Sequence, residues 1–276
     1  MNVLSMDKKK QVLSILVEGN SIRSAERLTG VHRDTIMRLL VKVGESCELL
    51  MESHLKDFHS TSLQVDEIWC YVGMKENTKK RLNKKDASLG DQYVFIALDA
   101  DSKLVPLFMV GKRTEQTATR FMSLLQDKIK NNGRVQLTTD GLKAYLTAVE
   151  SAFGGDVDYA QLIKVYGKET RDGEQRYSPP SIQDIISKII TGSPDTKKIS
   201  TSYIERQNLT VRMQLRRFTR LTNAFSKKLD NLKAALALHF AHYNFMRVHK
   251  TLSVTPAMEA KITDHIWVWD EILCPN

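Results

Sequence analysis

Leu63-Gln-Val-Asp-Glu-Ile-Trp-Cys-Tyr-Val72 is an apolar run interrupted by two acids, Asp66 and Glu67. Its length and its β-branched and aromatic content predict a buried strand rather than a helix. A carboxylate in such a strand must be paired or metal-bound to offset its desolvation, so Asp66 marks a site as well as an element. A second short run, 135–139, ends at Asp140, and Gly141 supplies the turn, which places a carboxylate at a strand tip. Glu205 stands near the start of a long helical pattern. Two strand acids and one helix acid can converge on a pair of divalent cations, for which hard oxygen ligands are suited.

Outward from 63–72 the texture predicts a basic segment over 75–92 and strands over 93–99 and 104–110. A helix over 115–131, a strand over 135–139, a helix over 142–153 and a strand over 159–166 follow. Three successive strands followed by alternating helices and strands describe an α/β fold of the α+β type, a mixed sheet covered by helices in ribonuclease H-like order. Residues 167–202 are polar and rich in Gly and Pro, with an apolar segment around 182–190, and read as an insertion, either a functional flap or an ordered lobe. Helices are expected over 203–217 and 224–243. The tail starts with Thr255-Pro256, a good helix entry, and its Trp267 and Trp269 read as packing residues among Ile266, Val268 and Ile272.

The first 45 residues predict three short helices, over 8–18, 22–28 and 33–42, with Ser21 as a cap and Gly30 in a tight turn. The third presents Ile36, Leu39 and Leu40 inward and Arg33, Thr35, Arg38 and Lys42 outward, a helix-turn-helix pattern whose outer face suits the major groove. The plainer reading is a three-helix cap with solvating charges. The organisation expected is therefore a helix-turn-helix domain over 1–45 and a linker helix over 46–61. The catalytic domain follows over 62–252 with its insertion at 167–202, and a helical tail covers 253–276.

The 276 residues carry 41 Lys and Arg against 32 Asp and Glu, a formal net charge of +9 that favours a polyanionic partner. Three cysteines without C-x-x-C spacing disfavour a disulfide framework, and Cys47, His54, His59 and Cys70 match no common zinc finger. No signal peptide or membrane span is legible, so a soluble cytoplasmic, nucleoid-associated protein is expected. Phosphodiester chemistry needs charge neutralisation on the attacking and leaving oxygens, which two cations roughly 3.5–4 Å apart provide. Asp66 is the expected bridge between them. Asp99 and Asp101 read as shaping the turn before Lys103, and Lys75 to Lys85 as either phosphate contacts or a solvated hairpin tip.

The segments Val-Asp-Glu-Ile-Trp (65–69), Leu-Thr-Thr-Asp-Gly (137–141) and Ser-Tyr-Ile-Glu-Arg-Gln-Asn-Leu-Thr (202–210) resemble those of the DDE transposases of bacterial insertion sequences, specifically the insertion-sequence-one family. Arg-Arg-Phe-Thr-Arg-Leu-Thr-Asn (216–223) and His-Tyr-Asn-Phe-Met-Arg-Val-His-Lys-Thr-Leu (242–252) extend the resemblance over nearly the whole chain. It implies a ribonuclease H-like catalytic domain, with two Mg²⁺ ions (Mn²⁺ able to substitute) held by Asp66, Asp140 and Glu205 as the catalytic triad. It also implies cutting and joining of terminal inverted repeats to target double-stranded DNA, by a homo-oligomer during synapsis. The DNA-contacting set is then Arg33, Thr35, Arg38, Lys42, Lys79, Lys80, Arg81, Arg212, Arg216 and Arg217. Asn208, Arg212, Tyr243, Asn244, Arg247 and His249 also match the family. Asn208, Asn244 and His249 are expected in support, the last two orienting the Glu205 helix or a scissile phosphate, or else capping and packing. The competing expectations are a DNA-binding regulator without chemistry and a ribonuclease H-like nuclease that only hydrolyses.

Overall fold

The computed structural model describes residues 4–130, 133–167, 181–220 and 222–274. Strands β1 (Ser62–Val72), β2 (Gly90–Asp99), β3 (Leu107–Gly111), β4 (Val135–Thr139), β5 (Val157–Tyr166) and β6 (Ile182–Thr191) form one sheet in the order β3-β2-β1-β4-β5-β6. β2 runs antiparallel to both β1 and β3, β4 and β5 run parallel to β1, and β6 returns antiparallel to β5. The first five strands have the order and directions of a ribonuclease H-like sheet, as the sequence predicts. The sixth is the apolar segment of the expected insertion, and it lengthens the sheet at its edge. The part of the insertion over 168–180 lies outside the described residues.

Helices cover both faces. Phe95 of β2 meets Phe121 of α5 (Glu115–Gln126) and Tyr145 of α6 (Ala144–Phe153) on one side. On the other, Phe108 of β3 meets Phe240 of α8 (Leu229–Ala241), and Ile204 and Val211 of α7 (Ser202–Gln214) are fully buried. No described helix is long and apolar enough to cross a membrane.

The N-terminal part is α1 (Met6–Val17), α2 (Ile22–Thr29) and α3 (Arg33–His54). Ser21 caps α2 by accepting from Ser24 N–H, and Gly30 ends it at φ +71°, a conformation that glycine adopts freely. α3 departs from expectation, because the third helix and the linker helix are one continuous rod. Gly44, beside the expected boundary at 45/46, sits inside it where α3 crosses α8, with room for no side chain against Ala234.

Other boundaries moved for local reasons. β3 starts at Leu107, not 104, because Pro106 has no N–H and the Asn244 amide takes both backbone groups of Val105, accepting at 3.0 Å and donating at 2.9 Å. α8 gives way to a π-helical turn at His242–Met246, which carries Asn244 to that contact. Inside the basic segment a short helix, α4 (Glu76–Arg81), forms. Asp99 shapes the turn as predicted, accepting from Ser102 as well as Ser60, whereas Asp101 accepts from Thr61 just before β1. Trp267 stacks on Phe245 and Trp269 on His242, so both tryptophans are packing residues. The tail otherwise holds two short helices, α9 (Pro256–Glu259) and α10 (Trp269–Leu273).

Candidate metal centre

Because β1 runs antiparallel to β2, Asp66 lies opposite Ile96 and Glu67 opposite Phe95, so successive acids leave opposite faces of the sheet. Asp66 points toward α7, where Asn208 Nδ2 donates to its Oδ2 at 2.7 Å; its Oδ1 accepts the Glu67 N–H at 2.8 Å. Glu67 points toward α6, where the Tyr145 hydroxyl donates to its Oε2 at 3.0 Å. Asp140 follows β4, and its Oδ1 accepts the Leu142 N–H at 3.0 Å in the turn made by Gly141. Carboxylate oxygens of Asp66, Glu67 and Asp140 all lie within 4.8 Å of one another.

Three carboxyls this close cannot all ionise cheaply. Burial, reinforced by Asp140 and Glu67, pushes Asp66 up to about 7. Burial and Asp140 raise Glu67, against the pull of Arg113, and burial raises Asp140. Arg113, just beyond β3, supplies the nearest positive charge, with its Nε and Nη2 each 2.6 Å from Glu67 Oε1 and Nη2 3.9 Å from Asp140 Oδ2. An all-oxygen donor set that shares too little cationic charge fits a hard divalent cation.

Glu205 lines the same open cavity, about 1150 Å³ in volume, but stands apart from the three-acid cluster. Lys164 of β5 bonds its carboxylate, which also accepts from the Thr201 hydroxyl at 2.5 Å. The start of α7 is fixed to β1 by Gln64, whose buried Oε1 accepts the N–H groups of Tyr203 and Ile204, both at 3.0 Å. Gln64→Leu therefore leaves two helix-start donors without a partner. Its expected cost is about 2–3 kcal/mol in urea melts, with loss of order at Glu205; an unchanged midpoint would show that Gln64 does not anchor α7.

Of the other expected residues, Asn208 and Arg212 reach the cavity, together with Arg220 and Lys143. The remainder lie elsewhere. α7 stops at Gln214, short of the expected 217, so Arg216 leaves the helix and falls in a 3₁₀ turn at Arg216–Phe218. Arg217 turns inward to Ser226 Oγ at 2.9 Å, and burial lowers it to about 10. Lys79 is tied to Leu89 O at 3.2 Å, whereas Lys80 and Arg81 are exposed on α4. Arg33, Arg38 and Lys42 are exposed along α3 and Thr35 is half-buried beside Arg38, its hydroxyl accepting from that guanidinium at 3.4 Å. Asn244 holds Val105, and His249 Nδ1 bonds the Thr251 hydroxyl at 3.0 Å.

Glu67, Arg113 and Lys164 were not singled out from the sequence. For Glu67 the signal was present: a second acid in a strand buried on both faces needs a partner as much as the first. Arg113 and Lys164 carry no comparable mark, since a lone base near a strand end is ordinary.

No protein-family model matches the chain, and no curated protein does. Among solved structures, the chain is similar at 10% identity and a TM-score of 0.40 to the piggyBac transposase synaptic complex with hairpin DNA, over 95% of this chain and 70% of that one. It is similar at 12% identity and a TM-score of 0.23 to the Mos1 transposase paired-end complex with left transposon end, over 58% of this chain and 60% of that one.

Proposed function

We propose that the chain is the transposase of a bacterial or archaeal insertion sequence, binding terminal inverted repeats and carrying out divalent-metal-dependent DNA cleavage and strand transfer. The observation that carries this reading is the meeting of Asp66, Glu67 and Asp140 within 4.8 Å at the heart of a ribonuclease H-like sheet, with Glu205 lining the same cavity. The three sequence motifs that resemble the insertion-sequence-one family hold all four of these acids, Asp66 and Glu67 both in the first.

In this reading Asp66, Asp140 and Glu205 would hold Mg²⁺, and Glu67 joins them as a neighbouring acid. Bound there, Mg²⁺ or Mn²⁺ would supply Lewis-acid activation of water or a 3′-hydroxyl and neutralise charge at the scissile phosphate. The protein's own groups prepare that centre. Asn208 aims Asp66, while Arg113 and Tyr145 fix Glu67 and offset its charge. Lys164 holds Glu205 beside the cavity. Arg212 and Arg220 give the cavity wall a positive edge along which a phosphate backbone can lie, and Arg33, Arg38 and Lys42 give α3 a second basic face for duplex DNA.

The test uses duplex DNA taken from the flanks of the protein's own reading frame. With Mg²⁺, the wild type should bind and join these ends, whereas Asp66→Asn, Asp140→Asn and Glu205→Gln should keep binding and lose joining by at least about 100-fold. Joining by the triple variant would refute the site. Binding without cutting by the wild type would favour a regulator.

A further inference from the structure

β6 is the edge strand of the sheet, and it does not look like an edge meant for water. Five of its ten residues are isoleucine, and Ile182, Ile185, Ile186 and Ile189 are 49%, 52%, 46% and 51% exposed. They sit on both faces: Ile186 lies opposite Ile163 of β5, and Ile185 opposite Lys164. No described layer covers either face along 182–189, all of which is exposed. A long, apolar edge with free backbone N–H and C=O groups is a template for another strand.

Charge fixes which strand suits it. An antiparallel ladder alternates bonded and non-bonded pairs, so two copies of β6 related by a two-fold must be centred on a residue paired with itself. Centred on Ile186, within the regular stretch 184–189 between the two bulges of β6, the pairing sets Asp184 opposite Lys188 of the second copy, twice. On the other face Ile185 and Ile189 of the two copies become diagonal neighbours. Centring on Asp184 or Lys188 opposes like charges, and centring on Ile185 or Ser187 puts Asp184 or Lys188 opposite isoleucine. In the single chain Asp184 Oδ1 accepts the Ile185 N–H at 2.8 Å, a contact that pairing would exchange for the ammonium of Lys188.

We infer that β6 is the self-association edge of this protein, joining two copies into one continuous sheet about a two-fold through Ile186. The inference concerns assembly and holds whether or not the chain joins DNA.

Sedimentation of the full chain, with and without duplex DNA, should show a dimer. Lys188→Asp, which opposes Asp184 to aspartate twice, should weaken that dimer by about tenfold or more. The exchange Asp184→Lys with Lys188→Asp should restore it to within about threefold, which a misfolded variant could not do. In a Cys274→Ser background, where the remaining Cys47 and Cys70 are buried, Ile186→Cys should oxidise to a covalent dimer, because paired Cα atoms lie about 4.5–5.5 Å apart. Gln183→Cys, three residues from the axis and roughly 20 Å from its copy, should not. A wild type that stays monomeric at its highest soluble concentration with DNA present, a dimer indifferent to Lys188→Asp, or equal cross-linking at both positions would each overturn the inference. Loss of strand joining with the dimer intact would instead count against the transposase reading alone.

Discussion

Asp66→Asn is expected to stabilise the metal-free protein even as it removes metal binding. The carboxyl of Asp66 titrates near 3.8 when exposed and is pushed up to about 7 in the fold, so the folded state holds a proton that the unfolded chain has released. A raised folded value means that stability falls as pH rises from about 4 through 7. At roughly 1.4 kcal/mol for each pH unit separating the two values, the ionised carboxylate costs on the order of 4–5 kcal/mol by pH 8. Asparagine avoids most of this. Its amide can also be accommodated: Asn208 Oδ1 is buried without a partner among the described residues, and a flip of that side chain turns it toward the new NH₂. Urea melts in a chelator should give a wild type weaker at pH 8 than at pH 5, and an Asp66→Asn variant with a smaller pH slope and about 1–3 kcal/mol more stability at pH 8. Excess Mn²⁺ should stabilise the wild type selectively. Equal slopes for the two proteins would mean that the cluster carries no such strain.

Gly44→Ala should destabilise the protein by about 1–3 kcal/mol, the reverse of its effect in an exposed helix, where alanine gains up to about 1 kcal/mol over glycine. A Cβ at position 44 would stand 2.5 Å from the Cα, Cβ and carbonyl oxygen of Ala234. Two of those atoms are backbone, so α3 and α8 must move apart. Gly44→Leu should cost more, and Ala234→Gly should rescue Gly44→Ala only in part, because Cα and oxygen remain. Thermal melts of the four proteins decide it; a Gly44→Ala variant as stable as wild type would show that the crossing is loose.

These two residues mark how far the sequence can be read. Asp66 and Asp140 were legible because a carboxylate inside or at the tip of an apolar strand has few explanations, and the strand order followed from run lengths and turn residues. The division at 45/46 was misplaced because a glycine such as Gly44 punctuates and also permits close approach, and only the partner helix, 190 residues away, distinguishes the two. The helical period carried α7 past its real end at Gln214, which placed Arg216 and Arg217 in a helix to which they do not belong. β6 escaped recognition as a sheet strand because its isoleucines show no polar alternation. That follows from its place at the edge, where neither face meets a layer of this chain.

The account rests on the carboxylates holding a divalent cation. Anomalous diffraction at the manganese edge, from crystals grown with Mn²⁺, tests this most directly. The prediction is a strong signal bonded to both Asp66 and Asp140, absent from Asp66→Asn crystals. No signal at saturating Mn²⁺, with Arg113 still closing on Glu67, would contradict it.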